Sequence, residues 1–271
     1  MWPEWLAGWP VYGSTILIMA DSLISDVRIY VINLDRSPQR LEEITKQLSN
    51  FDLTFQRITA TDGKLATPQQ KALLDEGKYH LKHGKTSLPG ELGCYLSHVE
   101  AISEFLKSDN LFAVILEDDA IIENGFVQVL QHLAHNSKQW DMVKLSGVHS
   151  GTPASVQRIN EYHRLSVMFS KCTGSSAYMI NRHAAQSYID KLLPMTLPYD
   201  HEFDKGWSYN IKVRAVTPFV VSHNVQATTT IETTHIYSRK FPGAQRWPTY
   251  LYRMQTELHR VRYAIGQYFS T

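Results

Sequence analysis

The stretch FAVILEDDA, Phe112 to Ala120, constrains this chain more than any other: five apolar residues run straight into three consecutive carboxylates. The run is short for a helix and has the length and β-branched content of a buried strand. Glu117, Asp118 and Asp119 close it, and like charges are costly to bury together. Either the strand ends at the surface and water solvates the acids, or a cation sits among them and offsets both repulsion and desolvation. Side chains alternate along an extended strand, so Glu117 and Asp119 are expected on one side and Asp118 on the other. Two carboxylates on one side can help hold a hard divalent ion, which would in turn bridge a diphosphate.

The segments around this stretch alternate. VRIYVINLDRSPQR reads as a strand over Arg28 to Leu34, with Ser37-Pro38 placed to start a helix running through Leu48. LTFQRITATDG offers a short strand and a turn at Asp62-Gly63, and Pro68 onward looks helical. SLPGELGCYLSHVEAISEFLKS supplies a turn at Pro89-Gly90 and an amphipathic helix. Later come a helix over Phe126 to Ala134, a strand in WDMVKLSG, a strand turning into a helix at Asn181, and a strand over Val213 to Val221. This order predicts an α/β fold, a mixed and mostly parallel sheet with helices on both faces. Ligands of such sheets bind at the carboxyl ends of strands, where NLDR and EDD both sit.

With 271 residues and 43% hydrophobic composition, the chain can bury a substantial core. A net charge of +1 supplies no field to attract nucleic acid, so anionic partners must be met by local clusters. Cys94 and Cys172 are far apart and lack metal spacing, which makes a reducing, cytoplasmic compartment the simpler expectation. Residues 1–26 are tryptophan-rich and interrupted by prolines, with a short apolar run from Ile16 to Met19, and are expected to be an extension outside the fold. Residues 27–236 form the expected catalytic domain. Residues 237–271 mix arginines with aromatics and turn helical from Thr249, which suits peripheral contact with an anionic membrane face and, equally, a solvated helix packed by its aromatic stripe.

Four blocks in order, IYVINLDRSPQR, LPGELGCYLSHVEAI, AVILEDDA and CTGSSAYMINRHAA, resemble glycosyltransferase family 25, the bacterial lipooligosaccharide galactosyl- and glucosyltransferases. The resemblance covers about Val27 to Val221. It implies a GT-A-like nucleotide-sugar fold, inverting transfer of galactose or glucose from UDP-galactose or UDP-glucose to a lipooligosaccharide core acceptor, and a metal motif in place of EDD. Manganese or magnesium is the expected cation. Its ligands would come from Glu117, Asp118 and Asp119, with His223 or His235 as a further imidazole. Asn33, Leu34 and Asp35 would lie under the nucleotide, and Arg36 and Arg40 would meet the pyrophosphate. The block around Glu91, Ser97 and His98 would lie near the sugar.

Thr173, Gly174, Ser175 and Ser176 are small and hydroxylated, so backbone can approach a sugar closely there. The resemblance makes Asp200 the first choice for the base that removes the acceptor's proton, with Glu202 second. For several of these residues a structural role reads as well: Glu91 suits a helix's first turn, His98 a satisfied buried histidine, and Arg40 an ordinary helix face. Two rival readings are a metal-dependent phosphohydrolase or nucleotidyltransferase on a similar sheet, and a noncatalytic sugar-binding module.

Overall fold

The computed structural model describes residues 26–149, 151–223 and 240–270. The expectations for residues 1–25 and for His235 lie outside the described residues. In chain order the elements begin with β1 (Val27–Asn33), α1 (Pro38–Ser49), β2 (Gln56–Thr59), α2 (Pro68–Lys71), α3 (Glu76–His83), α4 (Pro89–Lys107) and β3 (Phe112–Glu117). They continue with β4 (Ala120–Ile122), α5 (Phe126–His135), β5 (Met142–Lys144), β6 (Pro153–Arg158), β7 (Arg164–Met168), β8 (Ala177–Asn181) and α6 (Arg182–Ile189). The last are α7 (Tyr199–Glu202), α8 (Gly206–Tyr209), β9 (Val213–Thr217), β10 (Val221–His223) and α9 (Trp247–Phe269).

Eight strands form one sheet in the order β2-β1-β3-β8-β5-β9-β7-β6, and β10 pairs with β4 in a second. Parallel pairing joins β1 to β2, β1 to β3 and β5 to β9. The pairs β3–β8, β5–β8, β7–β9 and β6–β7 are antiparallel. The sheet is therefore mixed, with β8 inserted antiparallel between β3 and β5.

The two-residue period of the strands divides the core cleanly. Tyr30, Ile32, Ala113, Ile115, Tyr178 and Ile180 pack with Leu92, Tyr95 and Ile102 of α4 on one face. Ile29, Val31, Val114, Leu116, Ala177 and Met179 pack with Ile44 of α1 and Phe126, Val129 and Leu133 of α5 on the other. Continuing the alternation of β3 puts Glu117 on the α4 face.

Two local expectations change. The strand stops at Glu117, and Asp118 and Asp119 form the turn into β4, so strand alternation does not govern those two side chains. The single strand expected over Val213 to Val221 is two, because Pro218 has no N–H to continue a ladder and the chain leaves β9 to pair β10 with β4.

Helix α9 docks by polar contacts. Arg260 Nη1 lies 3.2 Å from Asp204 Oδ2, Thr249 Oγ1 donates to Leu81 O at 2.8 Å, and Tyr263 OH donates to Ile211 O at 2.7 Å. No described helix is long and apolar enough to cross a membrane.

Candidate active site

From β1 the chain goes to β2 on one side and to β3 on the other, so their carboxyl ends flank a topological switch point, where open α/β sheets leave a crevice. A cavity of about 520 Å³ lies there, lined by Ile32 and Leu34 of the β1 end, residues 60–64 after β2, the first turns of α4, and Glu117, Asp118 and Asp119. Arg36, Arg40 and Lys64 supply its positive side chains. One wall is set by a close backbone approach: a Cβ on Gly93 would sit 2.5 Å from Thr61 O. Ser97 locks the same contact, accepting from Thr61 N at 2.8 Å and donating to Gly93 O at 2.7 Å.

Each acid has a different environment. Glu117 Oε1 accepts from Ser175 Oγ at 2.7 Å and lies 3.2 Å from His98 Nε2. A carboxylate only accepts, so this ring nitrogen carries the hydrogen, and Nδ1 lies 3.1 Å from Tyr178 OH. Tyr178 OH is 2.9 Å from Tyr199 OH, and the Tyr199 ring stacks on His98 at 4.1 Å. Burial pushes the Glu117 carboxyl up, but the bonds from His98 and Ser175, with Arg40 nearby, outweigh it and hold it below the usual range.

Asp118 accepts from Asn33 Nδ2 at 2.7 Å and from Arg40 Nη1 at 3.2 Å. Asp119 Oδ2 is 3.8 Å from the same Arg40 nitrogen, while its buried Oδ1 has no hydrogen-bond partner among the described residues. Burial, then the charge of Glu117, pushes the Asp119 carboxyl up to about 7.

Of the residues expected under a donor, Leu34, Arg36, Arg40, Ser97 and His98 line the cavity. Arg36 forms an ion pair with Asp62 at its rim. Asn33 is buried and committed: its amide also donates to Ser37 O at 3.0 Å, and its Oδ1 accepts from Arg57 Nε at 3.0 Å. Asp35 faces outward in an ion pair with Arg57 at 2.6 Å. The Glu91 carboxylate accepts from Leu88 N at 2.8 Å and Tyr79 OH at 2.6 Å, closing the start of α4.

The loop over Thr173, Gly174, Ser175 and Ser176 reaches the acids from β8. Ser175 binds Glu117, and Ser176 O accepts from Glu117 N at 2.8 Å. Gly174 has φ +104°, a conformation that favours glycine, and its N–H points at Asp200 Oδ2, 3.4 Å away. Thr173 O accepts from Val148 N at 2.8 Å.

Sequence reasoning missed the residue that holds this loop. Lys144, 1% exposed, donates to Cys172 O at 2.5 Å and Gly174 O at 2.7 Å, with its ammonium 4.6 Å from the Phe203 ring centroid. The only available signal was a lysine at the end of an apolar strand, which usually marks a strand end at the surface.

Asp200 and Glu202 part company. Burial pushes Asp200 up, against Lys144 and Lys171, which favour its ionised form. Glu202 is spoken for by Lys205 at 2.9 Å and Tyr209 OH at 3.2 Å, and Lys205 in turn binds Tyr252 of α9 at 2.6 Å.

Beside Asp200 the buried His83 and the half-buried His201 meet edge to face, with ring centroids 5.1 Å apart. Burial, then Lys85, pushes His83 down to about 2, and burial, then Lys171, pushes His201 down to about 3. Below about pH 6.5 the unfolded chain takes up protons on both rings that the folded chain refuses. Stability is therefore present above that pH and lost as pH falls toward 3, by about 1 kcal/mol per pH unit for each ring. Urea unfolding at pH 7.5, 6.0 and 5.0 measures this, and a flat profile would contradict neutral burial.

The donor set fits a hard cation. Among the described residues Asp119 Oδ1 is buried without a partner, and Arg40 is the positive group paired with the Asp118 and Asp119 carboxylates. Register sets His223 opposite Ala120, the residue after Asp119, so the second sheet brings its backbone beside the acids. A different cluster, Cys94, His98 and Glu117, has ligand atoms within 4.8 Å of one another. It suits a metal less well: burial and neighbouring carboxylates push the Cys94 thiol up, and both His98 nitrogens are engaged. Oxygen ligands match manganese or magnesium better than a thiol does.

The sequence comparisons agree on one family. The sequence model described as "Glycosyltransferase family 25 (LPS biosynthesis protein)" matches residues 26–203. Procollagen galactosyltransferase 1 of Danio rerio is 27% identical over 198 residues, 68% of this chain and 32% of that protein. A glycosyltransferase 25 family member of Drosophila melanogaster is 26% identical over 220 residues, 74% of this chain and 35% of that protein. Inactive glycosyltransferase 25 family member 3 of Mus musculus is 30% identical over 125 residues, 43% of this chain and 21% of that protein. The alignments with the first two cover about a third of each curated relative. Among solved structures, "Crystal Structure of A197 from STIV" superposes with a TM-score of 0.39 at 12% identity, covering 73% of this chain and 85% of that one.

Proposed function

The chain belongs to glycosyltransferase family 25, and from that premise we propose that it transfers a hexose, galactose or glucose, from a UDP-sugar to a lipooligosaccharide core acceptor with inversion. The observation that carries this reading is the cavity itself, which pairs Arg36, Arg40 and Lys64 with the carboxylate turn at the switch point of the sheet. Positive groups facing a carboxylate floor suit a diphosphate bridged to a divalent cation. Active and inactive relatives both match this chain, so the transfer reading rests on these residues rather than on similarity alone.

In this reading Arg36 and Lys64 orient the diphosphate, and the start of α4 adds its positive end to the same wall. Asp119 would be the principal cation ligand, with Glu117 and Asp118 held behind it by His98, Ser175, Asn33 and Arg40. The cation, when bound, neutralises charge on the departing diphosphate. Asp200 is the group that accepts the acceptor hydroxyl's proton: it is half-buried, next to the glycine loop, and its anion is supported by Lys144 and Lys171. Glu202, tied to Lys205 and Tyr209, keeps α7 and α9 together. A cytoplasmic location, with the acceptor presented at the inner membrane face, completes the reading.

Incubation with UDP-galactose or UDP-glucose, manganese and a truncated lipooligosaccharide, followed by mass analysis, tests it. The expected product is the acceptor lengthened by one hexose. Phosphate release without lengthening would favour hydrolysis, and sugar binding without turnover would favour a noncatalytic module.

A further inference from the structure

Helix α9 carries its amphipathic pattern inside out. The face packed on the body is polar or hydrogen-bonded, with Thr249, Tyr252, Arg260 and Tyr263 all bonded to other elements. The face turned outward is apolar: Trp247, Leu251, Met254, Leu258, Val261 and Ile265 are each 41–63% exposed. Their spacing is 4, 3, 4, 3 and 4 residues. Tyr268 falls 3 residues further on, its ring edge-on to Phe169 of the body. The spacing is a heptad repeat; exposed Tyr250 and Phe269 flank it only at its two ends, and between them it keeps the narrow seam of a two-helix coil rather than the broad stripe of a helix lying in lipid.

Heptad positions assign the flanks as well. With Leu251, Leu258 and Ile265 at the a positions, Glu257 falls at g and Arg262 at the following e. In a parallel pair, a g residue of one helix meets the next e residue of the other. Glu257, half exposed and 3.4 Å from Arg260 Nε of its own helix, would therefore also face Arg262 of a second copy, twice by symmetry. The helix has 23 residues, about 34 Å of seam.

We infer that the outward face of α9 is the seam of a parallel, two-fold dimer between two copies of this chain. A two-fold axis along the helices places the two bodies on opposite sides, because each body packs on the face away from the seam.

Sedimentation at micromolar concentration is expected to give a dimer, and Leu258→Asp a monomer with an unchanged far-ultraviolet circular dichroism spectrum. Arg262→Glu is expected to weaken association about tenfold, and adding Glu257→Arg to restore it. Should Leu258→Asp misfold, Leu251→Cys, Leu258→Cys and Ile265→Cys decide the matter: in a parallel dimer each cross-links to its own copy on oxidation. Cross-linking at only one of them would mean an antiparallel pair and overturn the register. A wild-type monomer at 100 µM, or a monomer that binds phosphatidylglycerol vesicles through Leu258, would overturn the dimer.

Discussion

Asp119→Asn is expected to lower turnover about 10²- to 10³-fold while making the metal-free protein more heat-stable. The two effects share one cause. Asparagine keeps the shape and removes a charge from a place where burial and Glu117 already oppose it, pushing the acid up to about 7. A carboxyl whose folded value lies above its unfolded one holds a proton that the unfolded chain releases between about pH 4 and 7. Stability therefore falls as pH rises through that window, and at pH 8 the ionised aspartate is a standing cost that asparagine lacks. Manganese should raise the melting temperature of the wild type and leave that of Asp119→Asn in place, since the unpartnered Oδ1 is the atom it would engage. Scanning calorimetry at pH 8, with and without manganese, reads the stability arm, and sugar transfer reads the other. Full activity in the variant, or in wild type after exhaustive chelation, would remove the carboxylate turn from the mechanism.

What could be read from the chain beforehand was local. The runs in IYVIN, FAVIL and AYMI are apolar, bounded by turn residues and short, so they announced β1, β3 and β8 with nearly the right ends. The acid triplet could be placed at a strand end for the same reason. Its internal arrangement could not, because it depends on partners far away in sequence: Asn33 for Asp118, His98 and Ser175 for Glu117. Asn33 showed a polar residue at a strand end, which suits ligand binding and tethering alike, and only the position of Arg57 and Asp118 spends all its hydrogen bonds on the protein. Strand order was equally hidden, since β8 and β5 read as apolar runs whichever neighbours they take. The facing of the tail helix was hidden as well: Arg260, Tyr252 and Tyr263 turn to the body while Leu251, Met254 and Leu258 turn outward, an arrangement that composition alone does not give.

Lys144→Met should cost about 2–4 kcal/mol of stability and move the acidic limb of the pH profile for kcat upward. Methionine fills the same unbranched space, so the change removes chiefly the ammonium. Two loop carbonyls, of Cys172 and Gly174, then lose their donor in a place where water does not reach, and the left-handed Gly174 loses its anchor. Burial pushes Lys144 itself down, yet three contacts surround the cation: the two carbonyls and the Phe203 face. Its charge is also the foremost influence holding the half-buried Asp200 carboxyl down against desolvation. Without it Asp200 keeps its proton to higher pH, and a base that stays protonated cannot take the acceptor's proton. A purely structural lysine would lower the melting temperature and leave the pH profile where it was. A shifted limb, with the loss of rate recovered at higher pH, distinguishes the electrostatic role from packing, and an unshifted limb would detach Lys144 from the chemistry of Asp200.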